Sequence, residues 1–136
     1  MQDERIISNY KWLQGMATAK YQDVVFGRYI ARPTKNGVPM NIENRDTYYK
    51  VEKGTDINLA IHALSKAHYN SYDAAFIMSA DTDYISLYRQ LKVIGKIVIA
   101  VAVSGQKIPK IIPEVDDFLI LTKSLFSQCI RSQQGK

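Results

Sequence analysis

The chain has 136 residues, 46% of them hydrophobic and 23% charged, with a formal net charge of +5. That length predicts one domain spanning residues 1–136 around a single core, and the apolar fraction excludes wholesale disorder. The basic excess suits a polyanionic partner and an ordinary solvated surface equally well.

Cys129 is the only cysteine, which excludes an intrachain disulfide and a cysteine zinc site. No apolar run approaches the roughly 18 residues of a membrane span. Met1-Gln2-Asp3-Glu4-Arg5 lacks the layout of a signal peptide. These features predict a soluble, cytoplasmic protein with no membrane partner.

In chain order, Ile6, Ile7, Tyr10, Leu13 and Met16 recur at helical spacing and predict a helix over residues 3–19, weakened at Gly15. A strand is expected from Val24 to about Ile30, ending at Arg32-Pro33. Residues 34–46 hold Asn36-Gly37, Pro39 and Asn44 and read as a polar, irregular excursion. Thr47 to Val51 has the β-branched and aromatic character of a short edge strand.

The next helix runs from Asp56 to about Tyr69, with Thr55 as its N-cap and Ile57, Ala60, Ile61, Leu64 and Ala67 as its apolar stripe. A strand follows over Ala74–Ser79, then a helix from Thr82 to Ile94 that Gly95 terminates. Lys96 to Val103 is nearly continuously apolar, the pattern of a strand covered on both faces. After a loop through Gly105, Pro109 and Pro113 come a last strand, Phe118–Leu121, a helix from Ser124, and a fraying tail over residues 132–136. Alternating helices and apolar strands predict an α/β sandwich with a mainly parallel, Rossmann-like sheet.

In such sheets ligands bind beyond the carboxyl ends of the strands. Ser79-Ala80-Asp81-Thr82-Asp83-Tyr84 stands at such an end, and Lys53-Gly54-Thr55-Asp56 opens the earlier helix. An Asp at a strand-to-helix turn can simply cap the helix. Two acids in Asp-x-Asp exceed what a cap needs, and Asp56, Asp81 and Asp83 converging in one crevice would suit a hard divalent cation. Asp-x-Asp also occurs in haloacid dehalogenase-like phosphatases, where Asp81 would be a nucleophile, and in glycosyltransferases. The phosphatase reading needs further downstream groups, and only Lys107, Lys110, Asp116 and Asp117 are on offer.

His62 and His68 lack a third ligand at sensible spacing and read as structural. Arg28, Arg32, Lys35, Arg45, Lys50 and Lys53 surround the polar excursion, as a solvated surface or as a nucleic-acid contact. Tyr48-Tyr49 beside Lys50 fits a packed edge strand or a base-stacking platform. The phosphate loop of nucleotide hydrolases and the serine-hydrolase elbow are both missing from the sequence.

Val51 to Ala60, Tyr72 to Tyr84, Gly95-Lys96 and Asp116-Asp117-Phe118-Leu119 together resemble NYN domains, as does Tyr10-Lys11-Trp12-Leu13 near the start. NYN domains are PIN-like proteins with a Rossmann-like sheet, regarded as metal-dependent ribonucleases. The resemblance implies Mg²⁺- or Mn²⁺-assisted hydrolysis of RNA. It implies Asp56, Asp81 and Asp83 as catalytic metal ligands, and Lys53, Ser79 and Thr82 as substrate contacts. It also implies a departure: the family opens with an apolar strand ending in Asp-Gly-x-Asn, whereas this chain opens inside a helix, leaving three of four acids. A gap in the sheet invites pairing with a second copy, so a homodimer is an expectation. A module of the same fold that binds RNA without cleaving it is the alternative.

Overall fold

The computed structural model of the protein describes residue 8, residues 11–20 and residues 22–129. The chain divides into two compact units, Met1–Asn58 and Leu59–Lys136. Among the described residues, no helix is long and apolar enough to cross a membrane.

In the N-terminal unit the first helix, α1, is seen at residue 8 and over residues 11–16. The expected residues 3–7 and 9–10 of this helix lie outside the described residues. Its end is local chemistry: the Thr18 hydroxyl donates to the Gly15 carbonyl at 2.7 Å, and the chain turns over residues 17–20.

Strands β1 (Arg28–Pro33) and β2 (Tyr48–Lys53) form an antiparallel two-stranded sheet. Its register pairs Arg28 with Lys53, Ile30 with Val51 and Arg32 with Tyr49. The expected strand over residues 24–27 does not form. β2 ends at Lys53, and Gly54 then takes φ +97°, so the hairpin offers residues 24–27 no ladder partner.

The polar excursion supplies its own hydrogen bonds. Asn44 accepts from the N–H of Asp46 and caps a 3₁₀ turn, Arg45–Thr47. The Thr47 hydroxyl bonds with Asn41 and Asn44, and Thr34 donates to the Asp46 carbonyl at 2.9 Å. None of the described residues of this unit is fully buried. A two-stranded hairpin has little apolar area to bury and is marginal alone.

Helix α2 (Thr55–His68) crosses from one unit into the other. Thr55 does not cap it. Instead Glu52 accepts both the N–H and the hydroxyl of Thr55, and the Asn58 N–H reaches the Gly54 carbonyl at 2.8 Å. The packed face also differs from the expected stripe. Leu59, Ala60, Ala63, Leu64 and Ala67 meet the core, while Ile57 and Ile61 stay mostly exposed.

The C-terminal unit holds a parallel three-stranded sheet in the order β3 (Ala74–Met78), β4 (Ile97–Val103), β5 (Asp117–Leu121). Helix α3 (Ile85–Val93) connects β3 to β4, and α4 (Lys123–Cys129) follows β5 with the Thr122 hydroxyl accepting the Leu125 N–H. The expected tail over residues 132–136 lies outside the described residues. Ala75 and Ile77 of β3 share one sheet face with Val98, Ala100 and Ala102 of β4. On that face Leu87, Tyr88 and Leu91 of α3 join the core, closed by Ile108, Ile111 and Val115.

The expectation of two covered faces on β4 holds on one. On the other, Ile97 and Val103 are exposed and Val101 alone is buried, at 5% exposure. Register explains it: Val101 is flanked by Met78 and Leu119 on the neighbouring strands, and those two side chains shield it while staying exposed themselves.

Both long helices end in the same hydrogen-bond pattern. After α3, the N–H groups of Gly95 and Lys96 reach the carbonyls of Lys92 and Leu91, with Gly95 at φ +87°. After α2, Asn70 at φ 54° takes the glycine's place, with N–H bonds from Asn70 and Ser71 to Ala67 and Lys66. Lys96, the one charged side chain buried among the described residues, donates to the Asn70 amide oxygen and lies 5.7 Å from the Tyr72 ring centroid. That pair ties the end of α2 to the start of β4.

Candidate functional site

The turn after β3 is built from its own side chains. The Ser79 hydroxyl accepts the Asp81 N–H at 3.1 Å, and Asp81 Oδ1 accepts the Asp83 N–H at 2.9 Å. Asp81 is thereby the N-cap of a 3₁₀ turn, Thr82–Tyr84, which leads directly into α3. Capping is real, yet it occupies one carboxylate oxygen of one acid. The Asp83 carboxylate is exposed, and among the described residues it has no hydrogen-bond or ion-pair partner. Neither acid is neutralised by a described Lys or Arg.

Beneath the turn lie two aromatic rings. Tyr84 and Tyr88 are buried, with ring centroids 6.5 Å apart. Tyr88 is 0% exposed, and among the described residues its hydroxyl has no hydrogen-bond partner. Burial pushes the Tyr88 phenol above its ordinary range, and the negative charge of Asp81 adds to the rise.

Ser79, Asp81, Thr82 and Asp83 thus share one turn of the C-terminal unit. Lys53 and Asp56 belong to the N-terminal unit: Lys53 ends β2, and Asp56 lies in the first turn of α2. Among the described residues, no three His, Cys, Asp or Glu side chains form a group that could hold a metal ion. Two carboxylates and a hydroxyl are hard oxygen donors, and Mg²⁺ is commonly held by one or two carboxylates with water and substrate phosphate filling the rest. The Asp81–Asp83 turn fits such an ion as part of a ligand set.

Asp116 has a different role. Its carboxylate accepts the Val98 N–H at 2.8 Å and approaches the Lys92 ammonium at 3.4 Å, which makes it a clamp between β4, α3 and the start of β5. Nearby, Glu114 forms a two-pronged pair with Arg89. His62 and His68 are exposed on α2.

The N-terminal unit also contains a pocket of about 300 Å³ lined by Phe26, Gly27, Arg28, Lys53, Gly54, Ile57 and Asn58. Asn58 braces it by donating to the Phe26 carbonyl at 3.3 Å. Sequence reasoning grouped Arg28 with the surface charges of the excursion and passed over Phe26. The signal that singles them out is the strand register, which local sequence does not carry.

A parallel α/β sheet with paired acids at a strand end is a frame shared by PIN-like nucleases. The chain belongs to the NYN domain family, whose match covers residues 8–122. NYN domains are part of the PIN-like nuclease superfamily, whose members generally use divalent metals, and the NYN family suggests an RNA substrate. A crystal structure of a protein of unknown function from Vibrio parahaemolyticus is similar in fold, with a TM-score of 0.56 at 16% identity. The similarity covers 84% of this chain and 60% of that one. Among curated proteins, nothing matches the chain.

Proposed function

We propose that this chain is a metal-dependent ribonuclease that hydrolyses phosphodiester bonds of RNA. The observation that carries the reading is the Ser79–Tyr84 turn: two carboxylates, Asp81 and Asp83, at a strand end with no described counter-cation, in a member of the NYN family. Asp81 and Asp83 would hold the ion. A bound Mg²⁺ or Mn²⁺ supplies Lewis acidity and a more acidic water. The Ser79 and Thr82 hydroxyls can hydrogen-bond a substrate phosphate, and Lys53 is a candidate contact to the RNA backbone. In this reading residues 1–136 act as one domain with a Rossmann-like sandwich, supported by a family match that runs across both units.

The test is cleavage of a labelled single-stranded RNA with Mg²⁺, with Mn²⁺ and with EDTA, using Asp81→Asn as control. Asparagine keeps an oxygen that can cap the turn and removes only the charge. Metal-dependent cleavage that Asp81→Asn abolishes supports the proposal; equal cleavage by both proteins ends it. A second reading, an RNA-binding module without catalysis, draws on the lack of a three-acid group among the described residues. RNA binding with no cleavage under any metal would favour it.

A further inference from the structure

The β1–β2 register sorts the basic residues of the N-terminal unit onto two faces. Alternation puts Arg28, Ile30 and Arg32 of β1 on one face, opposite Lys53, Val51 and Tyr49 of β2. Lys50 and Tyr48 fall on the other face, with Tyr29 and Glu52. One face therefore carries a cation pair at one end, and a third cation beside an aromatic ring at the other. Arg28 and Arg32 are four residues apart along the strand, about 13 Å.

The cation pair is unusual in itself. Arg28 and Lys53 are directly opposite, an arrangement that destabilises a ladder unless an anion lies between the charges. Neither has an ion-pair partner among the described residues. The nearby carboxylate, Glu52, points to the other face and is engaged with Thr55.

Both cations line the 300 Å³ pocket, together with Phe26 and Ile57, which are partly exposed. The pocket wall is tight. A Cβ on Gly27 would overlap the Glu52 carboxylate and stand 3.0 Å from the Lys53 carbonyl oxygen. At the far end of the face Tyr49 is 54% exposed. Cations that track a backbone and aromatic rings that accept bases are the combination that single-stranded nucleic acids use.

We propose that this face of the hairpin binds a single strand of RNA. One phosphate sits in the pocket between Arg28 and Lys53, a neighbouring phosphate reaches Arg32, and a base stacks on Tyr49. This deepens the ribonuclease reading and rests on its substrate class. It makes Arg28, Arg32, Lys53 and Tyr49 positioning residues for the RNA strand.

The experiment measures binding of a fluorescein-labelled ten-nucleotide oligouridine RNA to the full chain by anisotropy, in EDTA and across a salt series. The Arg28→Ala/Lys53→Ala variant is expected to bind at least about tenfold more weakly, with the salt slope reduced by about two. Tyr49→Phe should bind like wild type, while Tyr49→Ala should weaken binding severalfold and leave the slope alone. Lys50→Ala, on the opposite face, should change affinity less than about twofold. Circular dichroism confirms that each variant is folded.

Wild-type affinity in the double variant, or an equal loss with Lys50→Ala, overturns the proposal, as does no RNA binding by wild type. The two proposals fail separately. Cleavage abolished by Asp81→Asn with binding indifferent to Arg28 and Lys53 sinks only this one, whereas binding that follows the hairpin face without any cleavage sinks only the catalytic reading.

Discussion

Asp116 and Val98 bond to each other twice: the Val98 N–H donates to the Asp116 carboxylate at 2.8 Å, and the Asp116 N–H donates to the Val98 carbonyl at 2.9 Å. The side chain thus stands in for a strand residue and starts the β4–β5 ladder one position before Asp117 pairs with Ile99. Replacing Asp116 by Ala should lower the melting temperature more than replacing it by Asn, which keeps an acceptor for Val98 and loses only the attraction to Lys92. Equal melting temperatures for the two variants would refute the clamp.

The same region sets an acid limit. The Arg89 hydrogen bonds hold Glu114 below its usual 4.5, against a smaller opposing effect of burial. The Val98 N–H, with help from Lys92, holds Asp116 below 3.8. A carboxyl whose folded pKa is depressed adds stability that is complete above its unfolded value and is lost as pH falls through the folded one. Stability should therefore change little through these groups from pH 7 to about 5 and drop below about 4. Melting curves at pH 7, 5 and 3.5 check this, and Glu114→Gln should lose less than wild type over that interval.

Two substitutions in the core of the C-terminal unit should act in opposite directions. Leu91→Ala should cost about 2–5 kcal/mol, since Leu91 is fully buried against the sheet. Tyr88→Phe should do the opposite and stabilise by about 1 kcal/mol, because it removes a buried hydroxyl with no described partner. Urea denaturation measures both. A destabilised Tyr88→Phe would mean that the hydroxyl has a partner in solution.

At the Asp81 turn, capping and charge are separable. Asp81→Ala should cost about 1 kcal/mol through the lost bond to the Asp83 N–H, whereas Asp81→Asn should melt close to wild type. Thermal melting of the three proteins decides it.

Gly54 is the hinge between β2 and α2. At φ +97° an L side chain is strained whatever space surrounds it, so Gly54→Ala should cost about 1–2 kcal/mol. A melting temperature equal to wild type would show that the backbone there relaxes without cost.

Much of this was legible in order along the chain. The strand–turn–helix at residues 74–93, the presence of a helix from about residue 56 and the stop at Gly95 follow from signals within a few residues, because apolar spacing and helix stops act locally, although Thr55 does not supply the expected cap. The ends of β1 were misjudged for the opposite reason. Residues 24–27 are apolar enough for a strand, but a strand exists only where a partner completes its ladder. The packed face of α2 likewise depended on which side the sheet approached, so Ile57 and Ile61 fell outside it.

By itself the sequence determined the α/β alternation, the family and the pairing of Asp81 with Asp83, all of which rest on residues close together in the chain. Only the tertiary structure decided that Asp116 is a clamp, that Tyr88 buries an unpartnered hydroxyl, and that Arg28 faces Lys53. Each of those depends on strand register or on packing between distant segments. A shift of one residue in register would send every side chain of a strand to the opposite face, and nothing local in the sequence forbids it.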